Sequence, residues 1–243
     1  MTAATLDRER WQHTDHVLLD IEGTISSISF VKDVLYPYAL ERLTRFAHDS
    51  WREHSFQALI AGFPEEARTD ADTLIAHVED LTRRDIKAVY LKQLQGQLWK
   101  TGYANGDLKT PLFEDVVPIL EAWKSSGKTL AIFSSGSVQA QMQFFSYVKN
   151  GDTTRDLNPL FSANFDTVTA GSKLEKESYE KICTELEVQP SAVTFLTDNV
   201  KEAIAATEAG VYTMLVDRPG NAALSTETRE RFAVIEKLTD LPQ

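Results

Sequence analysis

The sequence is poor in the residues that several functional classes require. Cys183 is its only cysteine, so no internal disulfide is possible, and neither a structural zinc site nor a CxxC redox pair can be drawn. A reducing cytoplasm is the location that fits a chain of this kind. Apolar runs stay well short of the roughly 20 residues of a membrane span, and residues 1–15 are polar and charged where a secretory leader is apolar. Neither a membrane contact nor export is expected. Positive charge is scarce too: 25 Lys and Arg stand against 36 Asp and Glu, a formal net charge of −11. That sign opposes the counterion release on which nucleic-acid binding depends, so no nucleic-acid partner is expected. The basic cluster Arg83, Arg84 and Lys87 alternates with apolar residues and reads as a solvated helix face. The five histidines, His13, His16, His48, His54 and His77, form no HExxH pair, and no GxSxG elbow marks a serine hydrolase.

What remains is an ordinary globular composition, 42% hydrophobic and 25% charged over 243 residues. The length is about 1.6 times a rough 150-residue domain, so one large domain or a core with an insertion is expected. Short apolar runs end repeatedly at polar or turn residues. Val17 to Leu19 stops at Asp20, Leu130 to Phe133 at Ser134, Val193 to Leu196 at Thr197 and Asp198, and Val211 to Val216 at Asp217; a weaker run, Asp166 to Ala170, stops at Gly171. Between them lie helical periodicities, such as Val116, Ile119, Leu120 and Trp123, and Tyr179, Ile182, Cys183 and Leu186. Strands alternating with helices predict an α/β fold, a doubly wound parallel sheet covered on both faces.

From about residue 26 to residue 112 the alternation gives way to helix after helix. Val31, Val34, Leu35 and Tyr38 share a face, then Leu74, Ile75, Val78 and Leu81, then Ile86, Val89 and Tyr90 leading to Leu94 and Leu98. Pro37 is expected to kink or end the first of these, and the turn-rich stretch 102–111 to return the chain to the sheet. The reading is a core of residues 1–25 and 113–243 with a helical cap, 26–112, inserted after the first strand. Ligands of open parallel sheets bind beyond the carboxyl ends of the strands, where such an insertion is placed to cover them.

If the strand ends converge, they gather Asp20 and Glu22, Ser134 and Ser135, a loop carrying Lys173, and Asp198. Asp20 is a candidate nucleophile toward phosphorus, but a carboxylate approaching a phosphate dianion is repelled and needs cations beside it. Asp20 and Asp198 offer hard oxygen ligands for Mg²⁺, Ser134 and nearby amides suit phosphoryl oxygens, and Lys173 neutralises charge during transfer.

These residues carry a resemblance. Asp20-Ile21-Glu22-Gly23-Thr24, Ser134, Lys173 and Leu196-Thr197-Asp198-Asn199 resemble, in order, the four motifs of the haloacid dehalogenase-like phosphatases, whose fold is a doubly wound sheet with an inserted cap. The longer strings from Leu18 to Ala39, Gly171 to Tyr179, Phe195 to Ala203 and Arg218 to Ala222 are similar to the enolase-phosphatase family of methionine salvage, over about residues 15–240. Glu22 stands where most of the superfamily carries aspartate, and glutamate is usual in the enolase-phosphatase branch. The resemblance implies a hydrolase with one Mg²⁺ per chain that enolises 2,3-diketo-5-methylthiopentyl-1-phosphate and then hydrolyses its phosphate. It implies catalytic roles for Asp20, Glu22 and Lys173, substrate contacts from Ser134, Ser135 and Lys173, and Mg²⁺ ligands from Asp20, Glu22 and Asp198. A small-molecule phosphate is the expected partner and a monomer the expected state.

Plainer roles compete for several of these residues. Ser134 and Ser135 suit the cap of the following helix, Asn199 and Glu202 have capping-box spacing, and Lys176 is a surface lysine beside Lys173. Glu202 is read as that helix-start residue, and Cys183 as packed core. Two rival functions stand beside the first: a simple phosphatase on another small ester, and a phosphate-sensing module without catalysis.

Overall fold

The computed structural model describes residues 4–86 and 88–242; Lys87 of the basic cluster lies outside the described residues. In chain order the regular elements begin with α1 (Arg8–Gln12) and β1 (His16–Leu19). A π-helical turn, Phe30–Leu35, then leads into α2 (Tyr36–Ser50), α3 (His54–Leu59), α4 (Ala71–Arg83) and α5 (Val89–Ala104). The rest comprises α6 (Val116–Ser125), β2 (Thr129–Phe133), α7 (Val138–Ser146), the hairpin β3 (Val148–Asn150) and β4 (Thr153–Arg155), β5 (Phe161–Phe165), α8 (Lys176–Glu185), β6 (Val193–Thr197), α9 (Val200–Glu208), β7 (Tyr212–Val216), α10 (Thr226–Arg231) and β8 (Val234–Ile235). The chain divides into two compact units: Ser29–Lys109, and the segments up to Ile28 and from Thr110 on.

The larger unit is a six-stranded parallel sheet in the order β5-β2-β1-β6-β7-β8. Its central strands read as unbroken apolar runs because both faces are buried: Leu18, Ala131, Phe133 and Phe195 pack with Tyr179, Ile182 and Cys183 of α8, while Val17, Leu19, Leu130 and Ile132, pointing the other way, are equally buried. Each such side chain contributes about 1.5–3 kcal/mol when fully removed from water. This is the doubly wound α/β architecture the alternation predicts. Strand order turns in opposite directions on the two sides of β1, which makes the carboxyl end of β1, between β2 and β6, the topological switch point where ligands of such sheets bind.

One strand is displaced from its expected place. Residues 166–170 are a turn, and the edge strand is β5 just before them. The Asp166 carboxylate accepts the backbone N–H groups of Val168 and Thr169 at 2.8 Å, and that local bonding holds the chain in a turn whatever the apolar pattern suggests.

The helical unit is built around Leu43, Phe56, Ile60, Leu74, Val78 and Leu94, with Phe46 edge-on to Phe56 at 4.9 Å. Pro37 stands in the first turn of α2, directly after the π-helical turn ends at Leu35, so the first helical segment changes at the place expected of it. Other sequence expectations change here. Ile86 is not helical, because α4 ends through the left-handed residue Asp85 and the Ile86 N–H returns to the Leu81 carbonyl. Gly102 belongs to α5, which runs on to Ala104 because the missing side chain at Gly102 admits the Tyr38 ring. The face read for the first helix also opens: Leu35 is buried while Val34 is exposed, since a π-helical turn rotates the residues away from α-periodicity.

Candidate active site

The switch point is where the strand-end residues meet. The Asp20 N–H continues the β1 ladder by donating to Leu196 of β6 at 3.0 Å, so the buried Asp20 side chain leaves the sheet at its carboxyl edge. Lys173, 6% exposed, donates through Nζ to Asp20 Oδ1 at 2.5 Å and pairs with Glu202 Oε2 at 2.6 Å. Thr197, the last residue of β6, donates to the same oxygen, Glu202 Oε2, at 2.9 Å. The Lys173 backbone carbonyl is held by the Tyr179 hydroxyl at 2.8 Å, which fixes the loop on which the lysine stands. Burial alone would lower the Lys173 pKa, but the charges and hydrogen bonds of Asp20 and Glu202 outweigh it and hold the ammonium above its ordinary value.

Across from this chain, the Glu22 carboxylate accepts a hydrogen bond from Ser134 Oγ at 3.3 Å, and Ser134 Oγ accepts one from the Gly136 N–H at 3.3 Å. Ser134 is therefore not the cap of the next helix. That role falls to Ser137, whose hydroxyl accepts from Ala140. Ser135 follows Ser134 on the same loop, half-buried. Asp198 is half-buried directly against Gly23, whose φ is 76°; a Cβ there would stand 2.5 Å from Asp198 Oδ2. Burial and the negative charge of Asp20 push the Asp198 carboxyl up to about 7, with Glu22 adding to the rise and Lys173 opposing it. Asp20, Glu22 and Asp198 thus gather at one strand edge with Lys173, while Lys176 points to solvent and pairs with Glu180 at 3.5 Å.

Glu202 is the correction to the sequence reading. It occupies the first turn of α9, but the helix is capped by Asn199, which accepts from Lys201, and the Glu202 carboxylate turns inward to Lys173 and Thr197. Burial and Asp20 push it up to about 7, against the pull of Lys173 and Thr197. Its place in the first turn of α9, four residues after the strand-end Asp198, is the signal that could have found it. Asp166 and Gln141 are further residues that sequence patterns did not single out for the site. Asp166 accepts the Val138 N–H at 2.9 Å, and the Gln141 amide donates to the carbonyls of Gly136 and Phe165 at 2.9 and 2.8 Å, so both brace the loop that carries Ser134.

The donor set suits a small hard cation. The carboxylates of Asp20, Asp198 and Glu202 act on one ammonium, with Glu22 acting on Asp198 beside them, and among the described residues no three His, Cys, Asp or Glu side chains are grouped to hold a metal by themselves. Mg²⁺, which takes one or two carboxylates and completes its octahedron with carbonyl, water and phosphate oxygens, fits; a zinc site does not.

The chain shares these features with known proteins. The sequence profile of the haloacid dehalogenase-like hydrolases matches residues 14–210. Enolase-phosphatase E1 of Sordaria macrospora and that of Neurospora crassa are each 50% identical over 227 residues, 93% of this chain and 96% of those proteins. The crystal structure of the UTR4 protein of Saccharomyces cerevisiae superposes with a TM-score of 0.81 at 34% identity, covering 93% of this chain and 98% of that one. The acidic strand end, the buried lysine and the serine loop lie within the matched span, and with near full-length identity at this level the chain belongs to the haloacid dehalogenase-like hydrolases and, among them, to the enolase-phosphatase E1 family.

Proposed function

We infer that this enzyme is the enolase-phosphatase of methionine salvage, converting 2,3-diketo-5-methylthiopentyl-1-phosphate into 1,2-dihydroxy-3-keto-5-methylthiopentene and phosphate. The observation that carries the reading is the buried Asp20–Lys173–Glu202 chain beside the Ser134–Glu22 pair, two sets of proton- and charge-handling groups on one strand edge. Asp20 is the nucleophile: its carboxylate oxygen forms a bond to phosphorus as the bond to the enol oxygen breaks, and water then cleaves the acyl phosphate. Lys173 holds one Asp20 oxygen in place and offsets charge on the transferring group, while Glu202 keeps the lysine aimed. Ser134 and Ser135, with the amides of their loop, bind phosphoryl oxygens. Glu22 moves the proton during enolisation, its carboxylate oriented by the Ser134 hydroxyl. Enolising first makes chemical sense, because an oxygen conjugated with a carbonyl is a less basic leaving group than a simple alkoxide.

Asp20 and Asp198, with the Glu22 backbone carbonyl, would hold one Mg²⁺ per chain, which supplies Lewis-acid charge for the carbonyl and phosphate oxygens. The inserted helical unit is read as a cap, and the enzyme as a cytoplasmic monomer acting on a small-molecule phosphate without nucleic-acid or membrane partners. No helix among the described residues is long and apolar enough to cross a membrane.

The test follows the enol by its ultraviolet absorbance and phosphate by release, on the diketo substrate with Mg²⁺. Wild type is expected to show both steps. Asp20→Asn, nearly isosteric but unable to attack phosphorus, is expected to stay folded, form enol and release no phosphate. Phosphate release without an enol signal would leave a simple phosphatase, and release by Asp20→Asn would end the covalent scheme.

A further inference from the structure

The loop after β7 carries Arg218 and Asn221, which the reaction described above does not use, yet both reach the segment that follows Asp20. Arg218 is 4% exposed. Its Nε donates to the Thr24 carbonyl at 3.0 Å, and its two terminal nitrogens donate to both oxygens of Asp115 at 2.8 and 2.9 Å. The guanidinium lies over the Phe113 ring, 4.4 Å from its centroid. Asn221 donates through Nδ2 to the Gly23 carbonyl at 2.8 Å and to the Val216 carbonyl at 3.0 Å, so it ties the site loop to the end of β7. Asp115 is itself anchored by the Leu238 N–H at 2.7 Å.

Gly23 is held tightly between these groups. A Cβ on it would stand 2.5 Å from Asp198 Oδ2 and 3.0 Å from Asn221 Oδ1, and its N–H is already engaged with the Ser26 carbonyl at 2.7 Å. The adjoining segments are bonded to each other as well: Phe113 N–H donates to the Ile25 carbonyl at 3.1 Å and Ser26 Oγ to the Pro111 carbonyl at 2.7 Å. A planar fork that satisfies a carboxylate bidentately while giving its remaining nitrogen to a carbonyl has one orientation, and burial keeps water from substituting for any of these bonds. The consecutive carbonyls of Gly23 and Thr24 are therefore held from behind by two side chains of one loop, immediately after Glu22.

We propose that Arg218 and Asn221, with Asp115 as the counterion, form a positioning clamp that fixes the Gly23 and Thr24 carbonyls and thereby sets the placement of Glu22 and Asp20 for the reaction. This rests on the roles assigned to Glu22 and Asp20 above. Neither clamp residue contacts the reacting groups; each acts through the backbone. Displacements of about 1 Å cost on the order of a hundredfold in positioned catalysis, so loosening these two carbonyls should show in the rate of the chemical steps more than in substrate affinity.

The experiment compares Asn221→Ala, Arg218→Lys and the control Arg229→Ala in the full-length enzyme. Arg229 pairs with Asp217 on the same loop but reaches neither Gly23 nor Thr24. For Asn221→Ala and Arg218→Lys, kcat for enolisation is expected to fall at least about tenfold with KM within about threefold, while Arg229→Ala keeps kcat within about twofold. Amide hydrogen exchange in the peptide covering residues 20–28 should accelerate in the first two variants and not in the control. Should Arg218→Lys fail to fold, Asn221→Ala, which removes a half-buried neutral amide, decides the matter. Wild-type kcat in folded Asn221→Ala, with or without faster exchange, overturns the clamp, as does an equal loss in Arg229→Ala. If wild type hydrolyses an aryl phosphate but does not enolise the diketone, the substrate assignment fails separately, and the same criteria apply to kcat for aryl phosphate.

Discussion

Lys173 and Lys176 are three positions apart and chemically identical, and their surroundings separate them completely. Lys173 is buried between Asp20 and Glu202, whereas Lys176 is nearly half exposed in a surface pair with Glu180. Lys173→Ala is expected to cost about 3 kcal/mol of transition-state stabilisation, on the scale of removing an oxyanion donor, and Lys176→Ala under about 1 kcal/mol. kcat/KM for phosphate release, measured on the folded fraction of each variant, checks this; equal losses would mean the loop is misread. Glu22 presents a second contrast. Shortening it to aspartate withdraws the carboxylate by about 1.5 Å from Ser134 without altering the main chain. Enolisation is expected to drop about a hundredfold in Glu22→Asp and further in Glu22→Gln. Full activity of both variants in both steps would remove the side chain from the mechanism and leave only its backbone carbonyl.

At the scale of the element, α5 contains two glycines with opposite reasons for being there. A Cβ on Gly96 meets nothing within 4 Å, while one on Gly102 would lie 2.6 Å from the Tyr38 ring. Gly96→Ala should stabilise the protein by about 0.5–1 kcal/mol through helix propensity, and Gly102→Ala should destabilise it by about 1–3 kcal/mol by forcing Tyr38 and its partners Arg42 and Asp107 apart. Urea unfolding of both variants measures the two signs. Helices α4, α6 and α8, with their buried stripes, were legible from periodicity, because an amphipathic face repeats within the element itself. The positions of Ile86 and residues 166–170 were not, since a left-handed exit and an Asx-type turn depend on hydrogen bonds that no periodicity encodes.

For the molecule as a whole, buried carboxylates set opposing dependences on pH. In EDTA, Asp198 and Glu202 keep their protons up to about pH 7 in the folded state, against ordinary values of 3.8 and 4.5. The folded protein then binds more protons than the unfolded chain between those limits, so their contribution to stability declines as pH rises from about 4 to about 7. Asp115 and Asp166 act the other way. Burial works against their charged forms, but the Arg218 fork and the Leu238 N–H for Asp115, and backbone N–H groups for Asp166, hold both below 3.8. Their contribution is present above the unfolded value and lost as pH falls through the lower folded one. The urea midpoint in EDTA is expected to fall between pH 5 and pH 7.5, and Asp198→Asn to flatten that fall. An unchanged slope in the variant would show that Asp198 does not titrate there.

The amino-acid sequence by itself determined the fold class and which strand-end residues come together, because buried strands and the polar residues that end them are read locally. Apolar runs ending at Asp20, Ser134 and Asp198 mark buried parallel strands and their carboxyl ends, and the topology of such sheets converges those ends. Only the tertiary structure decided what Glu202, Asp166, Arg218 and Asn221 do. Each makes its decisive bonds to groups distant along the chain or turned away from the pattern of its own element: Glu202 to Lys173, Asp166 to Val138, Arg218 to Thr24 and Asn221 to Gly23. A carboxylate at a helix start is locally a cap, and an arginine after a strand is locally a surface charge. Burial beside a specific partner, which exists only once the strands have assembled, turns the first into the support of a lysine and the second into an anchor for the loop that carries Glu22.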